Sequence, residues 1–277
     1  MLRPVSAAEP LPSSTVILLR EDGGEEPFRV LMVERHGSVT FPGVHAFPGG
    51  VVDPGDHAPH GATLPPGQSW APAGEGDGPE EALPYWIAAV RECFEEVGLL
   101  LVHRDGAALP TPLPAPIAGL RARLHAGEPF AELLAEHGLV PATDGLLYFA
   151  RWITPKRNPR RFDTRFLVGR APAGQDAVID ATECVSCRWL GPRGALALYE
   201  RGDITLIPPT VRTLDDLARF ASVDAVLDDA RRRVVRAVQP MIVEVGGEPA
   251  LAYPDNTGHP DVAPRTLVLR DGRWRTA

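Results

Sequence analysis

The chain has 277 residues, with Lys+Arg 28 against Asp+Glu 36 and a formal net charge of −8. That balance argues against general binding of a nucleic-acid polymer, whose phosphates select basic surfaces. No run approaches the roughly 18 apolar residues of a membrane span, and three cysteines, Cys93, Cys184 and Cys187, make no disulfide framework and fit a reducing compartment.

Residues 1–13 read as a loose arm containing three prolines. Met1-Leu2-Arg3-Pro4 leads into no apolar run, so no signal peptide is expected. The end, Trp274-Arg275-Thr276-Ala277, lacks a Ser-Lys-Leu-type peroxisomal address, and a cytoplasmic location is the simplest expectation. Ser14–Leu19, rich in β-branched and aliphatic residues, predicts a strand. A Gly-Gly turn at Glu21–Pro27 and a second strand over Phe28–Glu34 complete a hairpin. A loop from Arg35 to Pro42 precedes the short strand Val44–Phe47, which enters the turn Phe47-Pro48-Gly49-Gly50. Residues 51–83 are rich in Pro, Gly and acidic residues with little apolar periodicity, and read as a surface loop with Trp70 as its one large apolar anchor.

Ala88 to Leu99 predicts the end of a helix. Ala, Arg, Glu and Leu favour helix, and Gly98 stands where a left-handed C-cap belongs. Ile87, Val90, Phe94 and Val97 form one apolar stripe facing a core. Glu92, Glu95 and Glu96, spaced i, i+3 and i+4, bring three carboxylates to one side of the helix, where they repel unless a cation lies between them. All-oxygen ligands favour Mg²⁺ or Mn²⁺ over zinc; the plain alternative is a solvated acidic face.

Arg91-Glu92-Cys93-Phe94-Glu95-Glu96-Val97-Gly98-Leu99 resembles the second half of the Nudix box, R-E-U-x-E-E-x-G-U with U apolar, and Phe47-Pro48-Gly49-Gly50 resembles the turn that opens it. The family spacing G-x5-E-x7-R separates Gly from Arg by 14 positions; Gly50 to Arg91 is 41, an excess of 27. Counted back from Arg91, the glutamate of that pattern falls on Leu83, with Glu80 and Glu81 as nearby substitutes. An interrupted box after such a turn resembles the subfamily whose mammalian members are peroxisomal coenzyme A diphosphohydrolases.

The resemblance implies a Nudix-type α/β/α sandwich with a mixed sheet over residues 9–207, a box insertion at about 51–83, and a C-terminal α/β extension over 208–277. An insertion at that point is either decoration or a lid or substrate-selecting wall.

Beyond the box, Leu99–Val102 predicts a short buried strand. Ile117–His125 and Pro129–His137 carry helical patterns. Leu146–Ile153, Arg161–Val168 and Glu183–Leu190 predict strands, and Pro192–Tyr199 a short helix. After Pro208-Pro209, helices are expected over Thr210–Ala221 and Val223–Val238, then strands near Met241–Val245, Ala250–Tyr253 and Thr266–Arg270. Alternating strands and helices point to a mixed sheet covered by helices.

A basic constellation follows the central strand: Lys156, Arg157, Arg160, Arg161 and Arg165 lie within ten residues. Arginine forks pair with phosphate by two hydrogen bonds at once, so Arg157, Arg160, Arg161 and Arg165 are candidate substrate contacts; the alternative is a solvated loop with one Arg-Asp pair. His45, and His36 across the turn, flank the glycines, and His45 is a further candidate contact. Cys184 and Cys187 have C-x-x-C spacing, but no second pair accompanies them and they read as packing or surface thiols.

By resemblance, Glu92, Glu95 and Glu96 bind Mg²⁺ or Mn²⁺ with help from a backbone carbonyl of Gly49–Gly50, and Arg91 pairs with a box glutamate. An extra carboxylate from outside the box acts as base or ligand, Glu183 being the candidate and Asp180 its rival. The implied reaction is metal-dependent hydrolysis of a diphosphate, with coenzyme A or acyl-coenzyme A giving 3′,5′-ADP and (acyl-)phosphopantetheine. The coenzyme-A-specific pattern also expects R-x3-G-x3 before Phe-Pro-Gly-Gly; Gly43 fits, but Val39 stands at the Arg position, with Arg35 four residues earlier. The alternatives are an ADP-ribose or NADH pyrophosphatase and a catalytically silent nucleotide-binding module. The expected partner is a small-molecule nucleotide diphosphate, with no nucleic-acid polymer and no membrane, and a homodimer left open.

Overall fold

Alternate residues of the strand Leu11–Arg20 decide the layering of the protein. In the computed structural model, which describes residues 8–21, 23–36, 43–57, 61–69, 78–180, 183–253 and 266–276, Val16 and Leu18 enter one apolar cluster while Ile17 and Leu19 enter another. Neighbouring side chains on a strand leave by opposite faces, so a strand apolar at consecutive positions needs cover on both sides.

The cover is helical. On one face the helix Pro79–Val97 buries Trp86, Val90, Cys93, Phe94 and Val97, flanked by the short helices Leu120–His125 and Phe130–Glu136. On the other, helices Pro192–Arg201, Pro208–Leu217 and Val223–Arg232 bury Ala195, Tyr199, Leu214, Leu217 and Val226. Between them the sheet runs in the order Cys184–Leu190, Arg29–Arg35, Leu11–Arg20, Phe162–Arg170, Leu147–Ile153 and Ala237–Val238. Leu11–Arg20 is parallel to Phe162–Arg170, and Leu147–Ile153 to Ala237–Val238; the other neighbours are antiparallel. This is the α/β/α sandwich with a mixed sheet expected from the sequence, but residues 208–238, assigned there to a C-terminal extension, supply two helices of its second layer and its edge strand.

Two long strands part company to make room for the glycine turn. Leu11–Arg20 meets Arg29–Arg35 at Leu19↔Val30 and Arg20↔Arg29, whereas its first half pairs with Gly49–Val51 through Ser13↔Val51, Ser14↔Gly50 and Thr15↔Gly49. His45–Ala46 in turn pairs with Arg29–Arg35. Phe47–Gly50 therefore bridges the gap between diverging strands, held by backbone hydrogen bonds on both sides.

The helix of the box is longer than expected. It begins at Pro79, so residues 79–83 belong to it and not to the loop assigned over 51–83, and Gly49–Val51 and the 3₁₀ turn Pro54–His57 are likewise ordered into the body. Pro84 reads as a breaker, since it lacks an N–H and crowds the preceding turn. Here that penalty is outweighed by the burial of Ala82 and Trp86, whose Nε1 donates to Leu146 O at 2.5 Å. Gly98, at φ 69°, closes the helix with its N–H on Phe94 O at 3.0 Å.

The middle of the insertion is tied to the body. Thr143 Oγ1 donates to Thr63 O at 2.6 Å, and Ser69 N–H to Arg231 O at 3.2 Å. The buried Gln68 accepts from Tyr148 N–H at 2.8 Å and donates from Nε2 to Ala230 O at 2.9 Å. Tyr148 lies beside a bulge in the central strand, so its N–H needs a partner outside the ladder. Trp70, the anchor expected from the sequence, lies outside the described residues.

Other differences are local. Leu99–Leu101 is buried but outside any strand, and the strand there is Val102–Arg104, in a small sheet with Ala107–Ala108 and Val140–Pro141. The last long helix stops at Arg232. The strands Met241–Val245, Glu248–Ala252, Leu267–Arg270 and Arg273–Thr276 form a separate sheet over Val238, Leu251, Tyr253 and Leu267. Among the described residues no helix is long and apolar enough to cross a membrane.

Replacing Gln68 with Ala leaves the Tyr148 N–H and Ala230 carbonyl without their buried partners. It is expected to lower unfolding free energy by about 1–3 kcal/mol, read from the urea midpoint with an unchanged slope.

Candidate functional site

Arg91 sits on the face of the box helix turned toward the glycine turn, 6 % exposed, and all five of its N–H donors are used. Nε and Nη2 clasp Asp56 through Oδ1 and Oδ2 at 2.9 Å each; Nη1 donates to Glu92 Oε1 at 2.8 Å and Glu95 Oε2 at 2.9 Å; Nη2 also donates to Val51 O at 2.9 Å. Burial works against the charge, but the Asp56 hydrogen bond and the charges of Glu92, Asp56 and Glu95 outweigh it and raise the guanidinium's pKa above the ordinary arginine value.

Asp56 answers the register problem of the interrupted box. Counted back from Arg91, the partner glutamate falls on Leu83, which lies within the helix and is an apolar residue. Counted forward from Gly50, the sixth residue is Asp56, the acidic position of G-x5-E one methylene shorter. The missing carboxylate is therefore present on the near side of the insertion. Of the expected substitutes, Glu81 is exposed and the Glu80 side chain lies outside the described residues. Forward counting was the signal that backward counting overlooked.

The glutamates divide between two partners. Glu92 and Glu95 turn to Arg91, whereas Glu96, 2 % exposed, accepts from Gly49 N–H through Oε2 at 3.0 Å. Glu96 Oε1 is buried without a hydrogen-bond partner, 3.7 Å from Arg35 Nη1. Burial is the main cause that pushes Glu96 up to about 8 and Glu92 up to about 7; repulsion from Glu92 adds to Glu96 and repulsion from Glu95 to Glu92, while Arg35 and Arg91 respectively oppose the shift. Glu95 is raised for the same reason, burial outweighing the pull of Arg91. With the carboxylates so turned, no group of three or more His, Cys, Asp or Glu among the described residues converges on a metal-sized point.

Both glycines are required by close approach. A Cβ on Gly50 would enter the Glu92 carboxylate, and one on Gly49 would enter the backbone at Ser14 and Thr15. The donor set (three buried or half-buried carboxylates, one with an unpartnered oxygen, against a tight backbone turn) has the hard-oxygen chemistry of a Mg²⁺ or Mn²⁺ site.

Glu183 lies on the exposed entry to Cys184–Leu190, and its charge raises Glu92, Glu95 and Glu96 alike. Asp180 instead accepts from Glu183 N–H at 3.4 Å, and its charge acts on Arg121 and Cys184. Of the two candidates, Glu183 is the one that faces the box carboxylates electrostatically. Arg35, seen in the sequence only as a displaced pattern arginine, reaches both Glu96 and, at 3.5 Å, Gly49 O.

The basic constellation is not one clamp. Arg161 is buried and holds backbone, Nε on Thr154 O at 3.1 Å and Nη1 on Ala8 O at 2.6 Å. Arg165 is also buried, 3.7 Å over the Tyr85 ring and 3.3 Å from Asp163, which Arg151 clasps through both carboxylate oxygens. Lys156, Arg157 and Arg160 are exposed, the last stacked over Phe162. His45 belongs to the opposite face of the sheet: its strand partner is Glu34, and Phe47, two residues on, lies in the second core. Burial and Arg188 lower its pKa against the pull of Glu34. Cys187 is half-buried and Cys184 and Cys93 are buried, all free thiols.

The family model described as the NUDT19 Nudix domain matches residues 71–219. The acyl-coenzyme A diphosphatase NUDT19 of Homo sapiens is 31% identical over 234 residues, covering 71% of this chain and 62% of that protein. The Gallus gallus protein of the same name is 32% identical over 159 residues, covering 50% of this chain and 41% of its own length. The chain thus spans less than two thirds of these relatives. Among solved structures, a NUDIX hydrolase from Alicyclobacillus acidocaldarius superposes with a TM-score of 0.67 at 27% identity, covering 82% of this chain and 98% of that one.

Removing the Asp56 carboxylate strands a buried guanidinium. Asp56→Ala is expected to destabilise the protein by about 3–5 kcal/mol, whereas Glu81→Gln, on the exposed surface, is expected to stay within about 0.5 kcal/mol; chemical denaturation separates the two.

Proposed function

The chain belongs to the Nudix family, and from that membership we propose that it is a divalent-metal-dependent diphosphohydrolase whose substrate is coenzyme A or acyl-coenzyme A, giving 3′,5′-ADP and (acyl-)phosphopantetheine. The observation that carries the reading is the buried Oε1 of Glu96, without a hydrogen-bond partner and beside Glu92, both carboxyls held with raised pKa values against the glycine turn. A buried carboxylate pair of this kind is stabilised by a cation. The substrate class is supported by the name of the curated relatives, acyl-coenzyme A diphosphatase.

Glu92, Glu95 and Glu96 would hold Mg²⁺ or Mn²⁺, with the Gly49–Gly50 backbone alongside. When bound, the ion supplies charge screening for the diphosphate and a lowered pKa for the attacking water. The chain's own residues do the rest. Arg91 and Asp56 hold the helix face and the Val51 strand end in fixed register. Gly49 N–H orients Glu96. Glu183, exposed and electrostatically coupled to all three box glutamates, accepts the proton of the attacking water. Lys156, Arg157 and Arg160 offer exposed cationic contacts to an anionic substrate. The free thiols agree with a cytoplasmic setting.

A second reading has its own support. Since Arg161 and Arg165 are engaged within the fold, the cluster available to a 3′-phosphate is smaller than the sequence suggested, which favours ADP-ribose or NADH.

Product analysis with Mg²⁺ or Mn²⁺ on coenzyme A, 3′-dephospho-coenzyme A, ADP-ribose and NADH decides between them. Metal-dependent release of 3′,5′-ADP from coenzyme A, with slower release of 5′-AMP from 3′-dephospho-coenzyme A and turnover reduced about 100-fold or more in Glu96→Gln, is the expected result. Preference for ADP-ribose or NADH would replace the substrate while keeping the site. Binding of nucleotide without turnover would identify a silent module.

The raised carboxylates also set a pH dependence. A carboxyl whose folded pKa lies above its unfolded value of 4.5 favours the folded state below pH 4.5 and loses that contribution as pH rises through the folded value. Metal-free protein is therefore expected to lose thermal stability progressively between about pH 4.5 and 8, and Mg²⁺ to reverse the loss most strongly at the alkaline end.

A further inference from the structure

The C-terminal turn of the box helix, which carries Glu95 and Glu96, has carbonyls that no later turn can satisfy. Three of them have partners, one from the helix's own cap and two from other parts of the chain. Gly98 N–H takes Phe94 O at 3.0 Å, Val178 N–H takes Val97 O at 2.9 Å, and Arg121 takes Glu95 O with both Nε at 3.0 Å and Nη2 at 2.7 Å. The same guanidinium donates from Nη1 to Val178 O at 2.6 Å. Arg121, from the helix Leu120–His125, thus joins the carbonyl of a box glutamate to the segment 171–180 that leads to Glu183.

That segment is also tied to the chain just beyond the box helix. Gln175 makes a reciprocal pair with Leu100, accepting its N–H at 2.9 Å and donating to its carbonyl at 3.1 Å. Asp180 then accepts from Glu183 N–H, and Glu183 O accepts from His36 N–H at 2.7 Å. The guanidinium also packs against the last glycine of the box, whose left-handed backbone already requires glycine: a Cβ on Gly98 would stand 3.0 Å from Arg121 Nη1. His125 Nε2 reaches the same Glu95 carbonyl at 3.1 Å.

We propose that Arg121 is a positioning residue that helps set Glu183 against Glu95 and Glu96 by tying the helix end that carries the two glutamates to the segment 171–180, whose Asp180 accepts from Glu183 N–H. The proposal rests on the metal-dependent reading above. Arginine suits this place because one planar fork spans two carbonyls while its charge complements the negative end of the helix. Lysine could supply the charge but, as a single ammonium point, not the fork.

The test is a double-mutant cycle on the full chain with Arg121→Gln, Arg121→Lys, Glu183→Gln and the combination Arg121→Gln/Glu183→Gln. The readouts are Mn²⁺ affinity by electron paramagnetic resonance and kcat and KM with coenzyme A, beside thermal unfolding. Arg121→Gln is expected to weaken Mn²⁺ binding and lower kcat by about 10-fold to 100-fold, with KM changed less than about twofold. In the Glu183→Gln background the same change is expected to add less than about twofold, since the two act as one unit. Arg121→Lys is expected to stay impaired.

An Arg121→Gln penalty that persists in full without Glu183, or recovery to wild-type values by lysine, overturns the clamp and leaves a helix-dipole role. If Arg121→Gln does not fold, Arg121→Lys enters the same cycle with the same criterion. The Mn²⁺ arm reads the clamp without substrate, so absence of turnover by the wild type would sink the proposed activity while the cycle still decided the role of Arg121.

Discussion

The buried ion pair between Arg91 and Asp56 is the constraint on which the site depends. A guanidinium removed from water must have its donors satisfied, and here each of the five is. Because its partners come from the turn at Asp56, the strand end at Val51 and two glutamates of its own helix, satisfying one cation fixes three elements at once. The interruption of the box does not disturb this arrangement, since Asp56 precedes the inserted residues and Arg91 follows them.

Charge balance around that pair explains the state of the remaining carboxylates. Arg91 offers one positive charge to Asp56, Glu92 and Glu95, and Arg35 approaches Glu96 only at 3.7 Å. Burial, with repulsion from neighbouring carboxylates added to it, therefore raises the pKa values of Glu92 and Glu96 and disfavours their charged forms. The fold tolerates this strain because both sheet faces are filled with apolar side chains, and the diverging strands that admit the Phe47–Gly50 turn are paired on each side by its flanking residues.

Outside the site, much of the cationic character that looked functional is structural. Arg161 and Arg165 are both buried, one on carbonyls and one against Tyr85 and Asp163. Conversely, Arg121 drew no notice in the sequence, yet it holds the end of the box helix. The insertion shows the same exchange of roles: its Pro, Gly and acidic composition predicts a surface loop, while Gln68 is buried and bridges a strand bulge to Ala230.

The sequence by itself determined what short-range chemistry dictates. The i, i+3, i+4 glutamates, the αL glycine at position 98, the double glycine at 49 and 50 and the strand-and-helix alternation of a mixed sheet are readable because spacing of a few residues fixes geometry directly. Tertiary structure alone decided which charges are buried and who satisfies them. Asp56 and Arg91 lie 35 residues apart, and Arg121 meets Glu95 and Val178 only where three segments converge. His45 is turned to the far face by a strand register that no local pattern announces. Pro84 stays inside a helix because the burial of Trp86 beside it outweighs one lost backbone bond. Partners that are distant in sequence leave no periodicity, so only packing could choose among them.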